Sequence, residues 1–320
     1  VKEIHVETAG TLETLVTTEE LNGYENVKIT GRLNTFDYDY LKLAGNLKGV
    51  DLSDLDMNTI PASAFSGSSL QTVLLPKNLI VIPSRAFYQS KITSITIPET
   101  VIEIGEYAFY QCQQTRGDLV IPSNVESIGT YAFRDCTFDG VLTLSSLKLK
   151  EIKEYTFSGS KLTGKLVLPL NVEKIGDNAF ANCSGFTGLT LNENLLSIGE
   201  DAFEKCSGFE GNLVIPDKVQ TIGMSAFQEC EGLQGNLTIG KSVTDLGAWV
   251  FTIRNIYNGD RTNFNKIYFK CLVPPSNLTN TFGRLSNSCK LKYVAVPIGC
   301  KDAYMRAFSN YIDVIEEIEF

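Results

Sequence analysis

Phenylalanine recurs in this chain at a nearly constant interval, and this periodicity limits the fold more than any other feature of the sequence. The intervals are 22 to 24 residues, and the residue before each phenylalanine is alanine, threonine or valine. The nine positions are Phe65, Phe87, Phe109, Phe133, Phe157, Phe180, Phe203, Phe227 and Phe251. A period of this length indicates a stack of similar short units, each of which contacts only its neighbours.

The physical design of one unit can be read from residues 119–136. The unit begins with a short alternating strand, which Pro122 ends because proline has no N–H to donate. A second extended piece ends at Ile128, and Gly129 then predicts a sharp corner at which φ is positive. Phe133 brings the chain back into the core. One such coil cannot bury its own apolar faces, so we expect coils stacked about 4.8 Å apart with their side chains in register.

This pattern resembles the BspA-like, or treponemal-type, leucine-rich repeats, which are found mainly in bacterial surface proteins. The likeness covers roughly residues 47–251 and is carried by the motif Leu-Val-Ile-Pro-Ser-Asn-Val-Glu-Ser-Ile-Gly-Thr-Tyr-Ala-Phe-Arg-Asp-Cys at residues 119–136. The last unit departs from it, since Trp249 and Val250 stand before its phenylalanine. The fold class predicted is an α/β repeat: a right-handed leucine-rich-repeat solenoid with stacked short parallel strands, an α+β N-terminal cap and a C-terminal cap.

Three domains are expected from where the period begins and ends. Residues 1–46 form the N-terminal α+β cap, residues 47–251 the solenoid of about nine repeats, and residues 252–320 degenerate repeats followed by the C-terminal cap. Within the first segment, Thr11 and Thr35 are the expected N-caps of two helices.

The C-terminal segment is predicted to hold a polar loop over residues 254–265 and three strands that flank one helix. The strands are expected at Lys266–Lys270, Tyr293–Pro297 and Ile312–Ile318, and the helix at Gly299–Ala307. Tyr304 and Phe308 should lie on the apolar face of that helix.

Five of the eight cysteines follow the same period, three residues after a phenylalanine. They are Cys112, Cys136, Cys183, Cys206 and Cys230, and the same position holds Ser68, Ser90 and Ser160 in other units. A position that accepts both types favours a small side chain with a weak donor, packed inside the coil. Neighbouring Cβ atoms would be about 5 Å apart, too far for the roughly 3.8 Å of a disulfide. For Cys271, Cys289 and Cys300, one disulfide is compatible with the sequence, but nothing selects the pair.

Net charge and hydropathy exclude some classes of partner. The formal net charge is −9, which argues against nucleic acid, because binding its backbone needs a basic surface. The longest apolar runs are far below the roughly 20 residues that span a membrane. The chain starts at Val1 and not at Met, which is compatible with removal of an N-terminal segment that carried a lipid anchor.

The sequence lacks the arrangements that catalysis usually needs. It has one histidine, no nucleophile-elbow motif and no phosphate-binding glycine loop. Asp54, Asp56 and Asn58 are spaced as at the start of a calcium loop, but Phe65 stands where such a loop needs its bidentate glutamate. We therefore expect no enzyme activity, no cofactor and no metal.

Two exposed ladders remain as candidate ligand-binding surfaces. The first is the outward position of the presumed concave sheet, with Thr96, Val120, Thr143, Val167 and Thr190; ordinary β-propensity would also explain these residues. The second is aromatic: Tyr107, Tyr131 and Tyr155 lie two residues before a phenylalanine, and Tyr88 and Tyr110 one residue after. Stacked tyrosines offer rigid amphipathic contact area, although they could also merely cover neighbouring backbone.

The resemblance implies a non-catalytic binding or adhesion module of a bacterial cell-surface or secreted protein. Its partner would be an extracellular protein or glycan, and the chain is expected to be a monomer. An envelope scaffold that organises other proteins, or an accessory of a glycan-uptake system, is the alternative. Repeat patterns specify the core and leave the surface free, so the pattern itself does not name the ligand.

Overall fold

The computed structural model describes residues 1–253, 262, 264–283, 291–309 and 311–320. It contains two compact units: Val1–Leu149 together with Gly159–Leu162, and Lys150–Ser158 together with Thr163–Phe320. Each unit is a stretch of β-solenoid with stacked parallel strands and little helix, which confirms the predicted fold. The three domain boundaries stay predictions.

The first unit holds nine strands and three helices among its described residues, and all paired strands are parallel. In chain order they are β1 Lys2–Val6, α1 Leu12–Leu15, α2 Thr18–Asn22, β2 Asn26–Gly31, α3 Thr35–Leu43, β3 Gly49–Asp51, β4 Thr72–Leu74, β5 Val81–Ile82, β6 Glu103–Ile104, β7 Leu119–Ile121, β8 Ser127–Ile128 and β9 Leu142–Leu144. Three sheets result, with the orders β1-β2-β3-β4, β5-β6-β8 and β7-β9.

The second unit repeats this plan. Its described elements are β10 Glu151–Ile152, β11 Gly164–Val167, β12 Lys174–Ile175, β13 Phe186–Thr190, β14 Ser197–Ile198, β15 Leu213–Val214, β16 Thr221–Ile222, β17 Asn236–Ile239, β18 Asp245–Leu246, β19 Lys266–Phe269, α4 Leu278–Thr281, β20 Val294–Pro297, α5 Lys301–Ala307 and β21 Ile315–Ile318. The sheets have the orders β10-β12-β14-β16-β18, β11-β13 and β15-β17-β19-β20-β21.

The phenylalanine column forms the core of both units, as the periodicity predicts. The ring centroids of Phe87 and Phe109 lie 5.0 Å apart at an interplanar angle of 4°. In the second unit, Phe180 and Phe203 lie 5.4 Å apart at 2°. These spacings follow the distance between neighbouring parallel strands, so each turn of the solenoid, which we call a rung, places its ring on the ring of the next.

The periodic glycine does not have the conformation that the sequence predicts. The sequence predicts a positive φ at Gly129, but neither Gly129 nor the other glycines that follow the periodic isoleucine, such as Gly223, have it. A Cβ on Gly129 would lie 2.4 Å from the backbone nitrogen of Glu106, and one on Gly223 equally close to that of Glu200. Glycine is needed here because neighbouring rungs approach too closely for any side chain.

The N-terminal segment joins the solenoid directly, because β1 and β2 belong to the same parallel sheet as β3 and β4. Thr11 precedes α1, but its side chain makes no capping bond. The N-cap of α3 is Asn34 and not the predicted Thr35; Asn34 forms a capping box with Asp37. The buried carboxylate of Asp37 accepts the N–H groups of Gly10, Leu12 and Asn34, which fixes the loop before α1.

At the C-terminal side, the predicted polar loop falls mostly on residues 254–261 and 263, outside the described residues. The strands and the helix lie within the predicted ranges, and Tyr304 and Phe308 are buried. Helix α4 was not predicted. It supplies one further rung, because Trp249 and Phe251 donate their N–H groups to its carbonyls and Phe282 stacks on Phe251 at 5.4 Å.

Candidate functional site

The chain segment around each phenylalanine has a left-handed backbone at two positions. We call the position two residues before the phenylalanine the minus-two slot. In the described rungs it has a φ of 52° to 61° at Ser63, Arg85, Tyr107, Tyr131, Tyr155, Asn178, Asp201, Ser225 and Trp249. The position two residues after the phenylalanine behaves likewise, for example at Gln89 and Gln111. No feature of the sequence predicted this, because these positions are mostly not glycine.

Hydrogen bonds between rungs explain the left-handed backbone. Alternation of right- and left-handed residues aims successive N–H groups to one side. Tyr107 thus donates its N–H to Thr130 O at 3.0 Å, Phe109 to Ala132 O at 2.7 Å, and Gln111 to Arg134 O at 2.8 Å. Asn178 and Asp201 donate in the same way to Glu200 O and Met224 O. The conformation therefore belongs to the repeat and not to the residue that happens to occupy the slot.

Occupants of the minus-two slot differ in how readily they adopt this conformation. Asn and Asp reach it at little expense, whereas most side chains with a Cβ lose about 1 kcal/mol or more. Asn178 and Asp201 therefore suit their slots, while Tyr107, Tyr131 and Tyr155 do not. Such backbone strain is found mainly at functional sites, where the side chain has a role other than stabilising the fold.

Four of the five candidate tyrosines form one continuous cluster in the first unit. Tyr107 stacks on Tyr131 with centroids 4.8 Å apart and an interplanar angle of 6°. Tyr88 stacks on Tyr110 at 5.2 Å, and Tyr110 meets Tyr107 edge to face at 5.5 Å. All four side chains are half-buried. The structure thus joins two columns that the sequence had placed in different positions of the repeat.

Two arginines border this cluster. The guanidinium carbon of Arg85 lies 5.6 Å from the centroid of the Tyr107 ring and 5.9 Å from that of Tyr88. Arg134 lies 5.4 Å from the centroid of the Tyr131 ring. These distances are those of cation–π contacts. We call Arg85, Tyr88, Tyr107, Tyr110, Tyr131 and Arg134 the tyrosine patch. Neither arginine was predicted as part of this surface.

Tyr155, the fifth candidate, belongs to the second unit. It is half-buried, its φ is 52°, and its N–H donates to Asp177 O at 3.0 Å. Its local geometry is therefore that of Tyr107, but its membership in a binding surface stays a prediction.

The strand-face candidates are exposed, although not all lie on strands. Val120 pairs with Thr143 and Val167 with Thr190 in parallel register, and all four side chains are exposed. Thr96 is exposed too, but the strand expected around it does not form. The segment of Thr96 lies in the chain between two sheets of the first unit: the sheet β1-β2-β3-β4 ends before it, and the sheet β7-β9 begins after it. A ligand-binding role for these residues stays a prediction.

The periodic cysteines are buried thiols, and each donates to the same kind of acceptor. Cys136 donates to Phe109 O at 2.9 Å and Cys206 to Phe180 O at 3.1 Å, in each case the phenylalanine of the preceding rung. Burial raises the pKa of the Cys206 thiol well above its usual range. These thiols are interior donors. Cys271 and Cys300 are free and buried, so they do not pair with each other, and Cys289 lies outside the described residues.

Carboxylates in the described ranges do not converge on a metal site. No group of three or more His, Cys, Asp or Glu side chains there could hold a metal ion. Asp54, the first residue of the calcium-like motif, binds the ammonium groups of Lys28 and Lys77. Hydrogen bonding to Lys28 lowers the pKa of Asp54, so its charge is already compensated. None of the described helices is both long and apolar enough to cross a bilayer.

Several solved structures are similar to this chain at low identity. The pneumococcal vaccine antigen PcpA is 19% identical over 92% of this chain and 80% of its own, with a TM-score of 0.44. A leucine-rich cell-surface protein from Faecalibacterium prausnitzii is 19% identical over 90% and 87%, with a TM-score of 0.41. The T. pallidum leucine-rich-repeat protein is 18% identical over 73% and 72%, with a TM-score of 0.29. A comparison with curated proteins gave no match.

A family model matches the repeat of this chain. The model described as the BspA-type leucine-rich-repeat region, in six copies, matches residues 19–116, 115–211 and 209–315. These matches leave out residues 1–18, which hold β1 and α1, and residues 316–320. The chain therefore belongs to the BspA-type leucine-rich-repeat family.

Proposed function

We propose that this chain is a non-catalytic binding module of a bacterial cell-surface or secreted protein, and that it binds an extracellular protein or glycan through the tyrosine patch. The observation that carries this proposal is the placement of Tyr107 and Tyr131 in minus-two slots, where asparagine or aspartate would be less strained. The membership of the chain in the BspA-type repeat family supports the proposed location at the bacterial cell surface.

The chemistry of the patch suits recognition. Tyrosine presents a large contact area with few rotatable bonds, so little side-chain entropy is lost on binding. Arg85 and Arg134 add donors that can bind carboxylates, carbonyls or hydroxyls at the edge of the rings. Tyrosine and arginine are also the residue types that contribute most to binding energy in protein interfaces.

A structural role for the tyrosines explains less. If the minus-two slot required an aromatic cover for its backbone, other rungs would need one as well. Ser63 and Asp201 occupy the same slot with the same backbone conformation. The aromatic occupants in consecutive rungs of the first unit therefore call for a reason outside the repeat.

The test is a binding screen against extracellular matrix proteins and glycans, with a double variant, Tyr107→Asn and Tyr131→Asn. Asparagine keeps the left-handed backbone, so the variant removes rings without disturbing the solenoid. We expect the variant to bind the captured ligand at least about tenfold more weakly, as for a hot-spot residue. Circular dichroism and thermal unfolding would show that the fold is kept.

Thr143→Lys on the strand face is the matched control. It places a bulky charge on the other candidate surface and should leave binding unchanged. Undiminished binding by the double variant, with loss in Thr143→Lys, would move the site to the strand face. Failure of the unaltered chain to bind any matrix protein or glycan in the screen would contradict the adhesion proposal itself.

A further inference from the structure

The second unit has a groove that the tyrosine patch does not involve. Its volume is about 680 Å³. The floor is aliphatic and includes Leu189, Val214 and Pro216, of which Val214 is 56% exposed. None of the described residues that line the groove is aromatic. The floor therefore suits aliphatic side chains better than sugar rings, which favour aromatic platforms.

Three lysines on successive rungs line the groove: Lys218, Lys241 and Lys270. Lys270 reaches back to Asp217 with its ammonium group 3.4 Å from the carboxylate. The side chain crosses the rung of Gly240, where any Cβ would lie 2.2 Å from Pro216 O. Asp217 also accepts the N–H of Lys241 at 3.4 Å, so its charge is offset within the groove.

The other two lysines keep their charge available. Lys218 donates to the neutral side-chain oxygen of Asn194 at 2.6 Å. Within the part of the chain that the structure describes, neither Lys218 nor Lys241 takes part in an ion pair, and both are exposed. Glu193 is the other acidic residue of the lining besides Asp217. The groove is thus locally cationic in a chain whose net charge is −9.

The geometry points to this groove as a docking site for an extended acidic peptide segment of a partner protein, with aliphatic side chains toward the floor and carboxylates toward Lys218 and Lys241. Alternating side chains of an extended peptide face opposite ways, which matches a floor of one chemistry and a rim of another. Four rungs span about 14 Å, a length that four or five extended residues cover. This site shares no residue with the tyrosine patch and does not depend on it, although Thr190 of the strand-face candidates lines it.

The test uses fluorescence anisotropy with a labelled peptide of alternating valine and glutamate, and the same peptide with glutamine for glutamate. The unaltered chain should bind the acidic peptide, more weakly as salt rises, and not the glutamine peptide. The double variant Lys218→Gln and Lys241→Gln should bind it about tenfold more weakly, the effect of two exposed charge pairs. It leaves the Asp217–Lys270 pair intact.

Lys161→Gln, which removes an exposed lysine of the first unit, is the matched control and should bind as the unaltered chain does. The Tyr107→Asn and Tyr131→Asn variant should also keep full peptide binding, which separates this site from the tyrosine patch. Equal binding of both peptides would overturn the proposal. So would an oligogalacturonate that binds where the acidic peptide does not, since it would assign the groove to an anionic glycan.

Discussion

The minus-two slot has the same backbone conformation in both units, but most of its occupants in the second unit are small and polar, apart from Tyr155 and Trp249. In the first unit Tyr107 and Tyr131 have φ values of 55° and 61°, and in the second Asn178 and Asp201 have values of 56° and 52°. Each of Tyr107, Asn178 and Asp201 donates its N–H to a carbonyl of the next rung at 2.8 to 3.0 Å. The repeat thus determines the backbone, and the side chain is free to vary.

This comparison separates what stacking requires from what it tolerates. A residue type that close stacking favours, such as the periodic glycine, recurs in both units for the same steric reason. A residue type that only some rungs have, and that fits the backbone poorly, points to a role at the surface. Three changes would break or sharpen the comparison.

The largest effect is expected where the backbone is shared. Gly129→Ala and Gly223→Ala each place a Cβ 2.4 Å from a backbone nitrogen of the neighbouring rung. Both should lower the free energy of unfolding by about 1–3 kcal/mol, as overpacking does. Urea unfolding followed by circular dichroism would measure this.

Gly45→Ala is the control, because a Cβ there meets no atom within 4 Å. It should change stability little. If Gly129→Ala unfolded at the same urea concentration as Gly45→Ala, close approach would not be the reason for the periodic glycine. If only one of the two variants, Gly129→Ala or Gly223→Ala, lost stability, the close approach of rungs would not have the same effect in both units.

An exchange of occupants should have a smaller effect. Asp201→Tyr puts a ring into a left-handed slot flanked by Asn178 and Ser225, and should cost about 1 kcal/mol. Tyr131→Asn relieves that cost but loses the contacts with Tyr107 and Arg134, so its stability should stay within about 1 kcal/mol of the original. Thermal unfolding of both variants measures the difference between these two stability changes. If the Asp201→Tyr variant were as stable as the original chain, the left-handed backbone would not be strained at Tyr107 and Tyr131.

The smallest effect concerns the charge in the slot. Burial, together with Glu204 and Glu200, raises the pKa of Asp201. The folded chain therefore binds this proton more tightly than the unfolded chain, and the ionised carboxylate destabilises the fold at neutral pH. Asp201→Asn should be more stable at pH 7 by a few tenths of a kcal/mol, because the carboxylate is only partly buried and solvent screens its charge. The gain should vanish as the pH falls below the pKa of the unfolded chain.

The converse change, Asn178→Asp, should lower stability at pH 7 and not at acid pH. Unfolding curves at both pH values test the sign. A gain for Asp201→Asn that persisted at acid pH would mean that the charge of Asp201 is not its cause.

Much of the fold could be predicted because stacking repeats its constraints in every rung. Phe133, Ile128 and Cys136 recur at fixed spacing since each must fit between its counterparts above and below. One irregular rung was missed, because residues 252–281 separate Phe282 from the period although its ring continues the column.

The candidate site was predicted less completely. The tyrosines could be found because aromatic residues at exposed periodic positions are unusual in a sequence. Arg134 could not, since its role depends on a contact with the ring of Tyr131 three residues earlier. Of the groove, only Thr190 was among the predicted strand-face residues; its lysines were not found, because Lys218, Lys241 and Lys270 share no common spacing.

By itself, the sequence determined the rung, its period and its buried columns, since apolar burial at a fixed interval permits little else. Only the tertiary structure decided which backbone each position adopts. Hydrogen bonds from one rung to the next place Tyr107 and Asn178 in the same left-handed conformation, and close packing of rungs leaves no room for a Cβ at Gly129. Both effects act between residues more than 20 positions apart, where local propensity carries no information.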